Sequence, residues 1–172
     1  MSSGPKGLLS ILETHGAELH ALLTRLVSRA DVAEDLLQEL FLKLRDSQGF
    51  ARADNPKAYV FRTAIHLAFD WRRARRFPES LQTEPAGAAE SQLDRLIEAE
   101  QLEQVLDAMQ NLSELGRQVI VLRYLQHQEY SEIAQQLGKT EHQIRGLCHK
   151  AIGQLQHMLR PATGRAAERR HE

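Results

Sequence analysis

Tyr130–Ala151, YSEIAQQLGKTEHQIRGLCHKA, is the stretch on which the fold turns. Ile133, Ala134 and Leu137 recur at the spacing of one helical face, and Gly138 follows them. Glycine is the residue that enters a left-handed turn without strain. Thr140 then stands where it can cap a new helix, with Gln143 three residues on to reach back. A helix of about two turns, a glycine turn and a longer helix make a helix-turn-helix, which lays its second helix in the DNA major groove. On that helix Ile144, Leu147, Cys148 and Ala151 fall towards the core. Glu141, His142, Gln143, Arg145, Gly146, His149 and Lys150 face outward, towards base edges or phosphates. An ordinary helical hairpin shares this outline, because glycine is common at helix ends.

The chain on either side keeps the helical period, and alternating runs of strand type are absent, so an all-α protein is expected. Leu8, Ile11, Leu12, Leu19, Leu22, Leu23 and Leu26 form one apolar face, and Val32, Leu36, Leu37, Leu40, Phe41 and Leu44 a second. Asp31 precedes the second as an N-cap, with Glu34 completing a capping box. Asn55 caps a third helix with Pro56 at its first position, where the missing N–H costs nothing. From Phe77 to Gln92 the chain reads FPESLQTEPAGAAESQ, a flexible linker by its prolines, glycine and small residues. The layout is a helical domain at 8–77, a linker at 78–92, a second helical domain at 93–160 and a disordered basic tail at 161–172. The second domain resumes at Leu93, Leu96 and Ile97.

The formal net charge of this 172-residue chain is −1, which argues against a nucleic-acid binder until it is split. Residues 50–77 carry +5, 78–115 carry −8 and 116–160 carry +3. Two basic blocks flank an acidic one, and local charge is what meets phosphates. No apolar run approaches the roughly 18–20 residues a bilayer needs. An acid as early as Glu13 and the lack of a cleavage site argue against a secretory signal, so a cytoplasmic protein is expected. The single cysteine, Cys148, makes no internal disulfide and is expected to pack rather than sense redox state. His142 and His149 lie two turns apart, about 10.5 Å, too far for one zinc. With no phosphate-cradling loop or nucleophile elbow, the expectation is no enzyme, no metal, no cofactor and no small-molecule substrate.

The third helix ends in AYVFRTAIHLAFDWRRARRF (residues 58–77), with four arginines in five positions and Tyr59, Phe61, Phe69, Trp71 and Phe77 among its cations. Arginines at a helix C-terminus are favoured by the macrodipole alone. The mixture also suits phosphate contact with base stacking. Both readings stand on the residues.

DVAEDLLQELFLKL (Asp31–Leu44), NPKAYVFRTAIHLAFDWRRARR (Asn55–Arg76) and LSELGRQVIVLRYLQHQEYSEIAQQLGKTEHQIRGLCHKAIGQL (Leu112–Leu155) together resemble the extracytoplasmic-function group of bacterial sigma factors, in that group's order. The resemblance implies that Asp31–Leu44 docks on the clamp coiled coil of the RNA polymerase β′ subunit through Asp35, Gln38 and Glu39 beside Leu36 and Phe41. It implies that Tyr59, Arg62, His66, Arg72, Arg73, Arg75 and Arg76 read and melt the minus-ten promoter element, with a flipped base held in a pocket. Thr140, His142, Gln143, Arg145, His149 and Lys150 are implied to read the minus-thirty-five element. The implied partners are core polymerase (β′ clamp and β flap), promoter DNA and an anti-sigma factor.

Three positions depart from the group's pattern. His66 stands where asparagine is usual, which puts the minus-ten base preference in question and points to the iron-starvation branch, whose anti-sigma regulators are membrane-anchored. Ser113 stands for proline and can itself cap a helix, and Lys139 adds a cation beside the turn. The two promoter elements are roughly 70 Å apart, at about 34–36 Å per turn. A linker of about 15 residues spans at most about 50 Å and relaxes to about 20 Å. The free chain is therefore expected to be compact or mobile and to bind promoter poorly alone. The competing reading is a stand-alone helix-turn-helix regulator whose first domain binds a protein or effector.

Overall fold

The computed structural model describes residues 5–75 and 89–160, and side chains for 6–75 and 98–160. Arg76, most of the expected linker, the tail and the side chains of Leu93, Leu96 and Ile97 lie outside the described residues. Among the described residues all regular structure is helical.

Three long helices, α1 (Pro5–Val27), α2 (Ala30–Arg45) and α4 (Pro56–Ala74), pack pairwise into a bundle. Between them α3 (Gln48–Ala51) is a single turn that the sequence pattern did not announce. Ser47 caps it by accepting from the Phe50 N–H at 3.2 Å, which sets Phe50 into the core. Leu19, Leu22, Leu23 and Leu26 of α1, Leu36, Leu40 and Leu44 of α2, and Val60, Ile65 and Phe69 of α4 are buried. Each fully buried side chain of this size stabilises by about 1.5–3 kcal/mol.

The starts of α4 and α2 differ in how they are built. Asn55 caps α4 as expected, its side chain accepting from the Ala58 N–H at 3.0 Å with Pro56 following. Asp31 does not cap α2. The chain leaves α1 through Ser28 in the left-handed region (φ 58°), the N-cap position falls on Arg29 with no side-chain cap, and α2 begins at Ala30. Asp31 lies in the first turn and pairs with Arg29, which holds its carboxyl below the usual range.

The second half opens with α5 (Ala89–Met109), which begins inside the stretch expected to be linker. Ser113 then caps α6 (Glu114–Ile120), accepting from the Gly116 N–H at 3.1 Å. α6 runs into a π-helical turn at Val121–Leu125, closed by the Gln126 N–H to the Val121 carbonyl at 3.1 Å. This wide turn keeps Val121 and Leu122 in the core and sends Tyr124 outward. The chain continues through α7 (Tyr130–Leu137) and α8 (Glu141–Leu159); α5, α6 and α7 all pack on α8.

Candidate nucleic-acid interface

α7 and α8 realise the expected helix-turn-helix. Gly138 sits at φ 62°, and Thr140 caps α8 by accepting from the Gln143 N–H at 3.2 Å while the Gln143 side chain accepts from the Thr140 N–H at 3.0 Å. Ile144, Cys148 and Ala151 are buried, Leu147 is half-buried, and Thr140, Glu141, His142, Gln143, Arg145, Gly146, His149 and Lys150 are exposed. Arg145 bonds back to Glu141 at 2.5 Å and lies 4.5 Å over the Tyr130 ring. Tyr130 is also covered by Arg123 at 4.7 Å and donates its hydroxyl to the Cys148 Sγ at 3.7 Å. That bond to Cys148, with some burial, pushes the Tyr130 phenol up. Tyr130 thus ties the start of α7 to the recognition helix, a role invisible in local spacing.

On α4 the expected arginine cluster does not form one patch. Positions three and four apart share a helix face, so Tyr59, Arg62, His66, Asp70 and Arg73 make one stripe, and Arg72 and Arg75 point away from it. Arg62 lies 5.0 Å over the Tyr59 ring, Arg73 bonds Asp70 at 3.3 Å, and Arg75 stacks 4.7 Å over Trp71. His66 lies between Asp70 at 3.2 Å and Glu114 of α6 at 3.6 Å. Arg72 is buried at 7% exposure and bonds Glu103 and Asp107 of α5. It is not on the surface where its place in the basic run puts it.

α2 carries the third candidate surface. Asp35, Gln38 and Glu39 are exposed and Phe41 is half-buried, but Leu36 is 4% exposed and belongs to the bundle core. Its place beside the polar residues is taken by Leu37 and by Leu42, which is 57% exposed and lines an open apolar groove with Leu37, Gln38 and Phe41. The signal for Leu42 was its position opposite Leu40 and Leu44: an apolar residue on the wrong face of an amphipathic helix.

Residues 11–77 match the family described as Sigma-70 region 2, and residues 108–157 match Sigma-70, region 4. Over 148 residues the chain is 30% identical to the ferric citrate uptake sigma factor FecI of Escherichia coli (strain K12), covering 83% of this chain and 85% of that protein. The chain belongs to the sigma-70 family. This sigma factor is also 25% identical over 151 residues to the ECF RNA polymerase sigma factor SigX of Bacillus subtilis (strain 168), spanning 83% of this chain and 78% of that one. Among solved structures it is similar to the sigma factor RpoE of Bartonella quintana, crystallised with the anti-sigma factor NepR, at 25% identity and a TM-score of 0.46 over 91% of this chain and 96% of that one. It is an extracytoplasmic-function sigma factor, an alternative sigma factor that directs promoter transcription. The match to region 2 sets aside the stand-alone regulator.

Proposed function

We propose that this sigma factor divides its work among three helices. α2 docks on the β′ clamp of core polymerase through Asp35, Gln38 and Glu39, with Leu37, Phe41 and Leu42 as the apolar part of the contact. The α4 stripe of Tyr59, Arg62, His66 and Arg73 meets the minus-ten strand, with Arg72, Arg75 and Arg76 on its flanks. α8 reads the minus-thirty-five element through Thr140, His142, Gln143, Arg145, His149 and Lys150, and its domain engages the β flap. The division follows the domain order of a first unit at 8–77 and a second at 93–160. The protein acts in the cytoplasm and catalyses nothing itself; it lends polymerase its promoter choice.

The observation that carries this reading is the outer face of α8. Its exposed positions, following a reciprocally capped start, leave Arg145, His149 and Lys150 turned to solvent on a helix whose inner face is fixed by Ile144, Cys148 and Ala151. Adding the purified chain to core polymerase and scoring run-off transcription from a genomic promoter library tests it. Promoter-selective transcripts are expected; failure to bind core polymerase overturns it. Similarity to the ferric citrate uptake factor and histidine at position 66 support a place in the iron-starvation branch with a membrane-anchored anti-sigma partner. Its target transcripts are then expected to rise on iron depletion, and transcripts indifferent to iron would remove that placement.

A further inference from the structure

The two halves of the molecule meet along one side of α4, and the meeting is held by charge. The Arg72 Nη2 donates to Glu103 Oε2 at 2.9 Å and to Asp107 Oδ1 at 2.7 Å, and its Nη1 donates to the Leu26 carbonyl at 3.1 Å. Glu103 also accepts from the Ser28 hydroxyl, and the Arg25 Nη1 donates to the Leu125 carbonyl at 3.2 Å. Glu114 reaches His66 from α6, on the stripe assigned to the minus-ten strand. Between these points, Phe61, Arg62 and Ile65 of α4 face Gln118, Leu122 and Leu137 across a cavity of about 10 Å³, too small for more than about one water.

A guanidinium between anionic oxygens is the geometry by which arginine also takes a DNA phosphate. We propose that in the free chain Glu103 and Asp107 hold Arg72 in the place of a DNA phosphate, closing the second domain over α4 until core polymerase and a promoter strand take the arginine over. The proposal rests on assigning α4 to the minus-ten strand. It also accounts for part of the acidic block at 78–115, two of whose carboxylates form the closed state's ion pairs with a residue of the basic block.

The closed state is also poised to open. Arg117 of α6 is buried in the seam, 4.8 Å over the Phe69 ring, with no carboxylate at ion-pair distance among the described residues and no partner for its Nε. Burial, and then the like charge of Arg73, push its pKa down. Cation–π contact offsets part of that cost, not all of it. Opening hydrates Arg117, while closing gains the two ion pairs of Arg72. Glu103 and Asp107 keep their outer sides in solvent, so the lock is reachable from outside.

The test uses the full chain, with Glu103→Gln/Asp107→Asn against a control of equal charge change on the same helix, Glu98→Gln/Glu100→Gln, two exposed acids that do not bond Arg72. Small-angle scattering reads opening, and a fluorescent single-stranded DNA of mixed sequence at about 0.1 M salt reads phosphate binding. The first variant is expected to expand and to bind the strand about tenfold more tightly, the control to stay compact and change less than about twofold. Adding Arg72→Ala to the first variant is expected to abolish the gain in binding while leaving the chain open. Equal gains in the variant and the control, no expansion of the variant, or a gain that survives loss of Arg72 overturns the proposal. Run-off transcription with core polymerase is scored separately for the wild type; its failure removes the sigma assignment of α4 and leaves the scattering result standing.

Discussion

Helices α4 and α8 are each 19 residues long, each starts from a side-chain cap, and each carries cations suited to DNA, yet one is walled in on a flank and the other is bare. Asn55 and Thr140 do the same job at the two N-termini. The difference arises one level up. α8 supports its own domain from beneath, and the one outward cation that is engaged, Arg145, is held inside that domain by Glu141 and the Tyr130 ring. α4 is buried against α1 and α2 on one side and meets α5 and α6 on another, so that Arg72 is engaged by carboxylates of α5 and His66 by one of α6. A basic residue in a DNA-reading helix is available only if no other domain supplies the anion first.

The contrast is broken most sharply at the core. Phe69→Ala is expected to cost about 3–5 kcal/mol in urea denaturation, because it empties a fully buried site and unseats Arg117. His149→Ala on the bare face of α8 is expected to stay within about 0.5 kcal/mol. Comparable losses at both sites would mean that α8 is not free. Next in size, Arg145→Ala/Lys150→Ala is expected to lower transcription from a promoter with an intact minus-thirty-five element by about 10–100-fold, with core binding unchanged in a pull-down. A smaller effect sharpens the comparison of caps. Thr140→Ala and Asn55→Ala should each cost about 1 kcal/mol in thermal unfolding, but only the former should also weaken duplex binding, since it frays the end of the exposed reader.

The smallest effect is at alkaline pH. The Tyr130 phenol is raised above its ordinary 10.0, first by its bond to Cys148 and then by burial, and burial raises Tyr124 likewise. A phenol raised in the folded state stabilises fully below the unfolded value and loses that contribution as pH rises through the folded one. The second half should therefore weaken above about pH 10, and Tyr130→Phe should flatten that decline in part, with Tyr124 accounting for the rest. Circular dichroism against pH reads both.

What could be read from sequence is what neighbours within a turn decide. Gly138, Thr140 with Gln143, and Asn55 with Pro56 announced their turn and caps, because each bond spans three or four positions. Asp31 misled because a cap depends on where the preceding turn releases the chain, and Ser28 released it early enough for α2 to begin at Ala30. Leu36 was legible from its spacing, which sets it on the inner face of α2, and only the role implied by the resemblance put it beside the exposed polar residues. Arg72 was out of reach altogether: its partners lie 31 and 35 residues away, in a helix whose start was hidden in small and acidic residues.

Gly116 has a consequence for how relatives of this chain diverge. A Cβ there would stand 3.0 Å from the Ser113 Oγ, the atom that caps α6. Proline, the residue usual at position 113 in the group, has no such oxygen. Across descendants of this sequence the two positions should covary: with serine at 113 a side chain at 116 makes the capping hydroxyl give way by a few tenths of an ångström, and a lineage with proline at 113 escapes that cost.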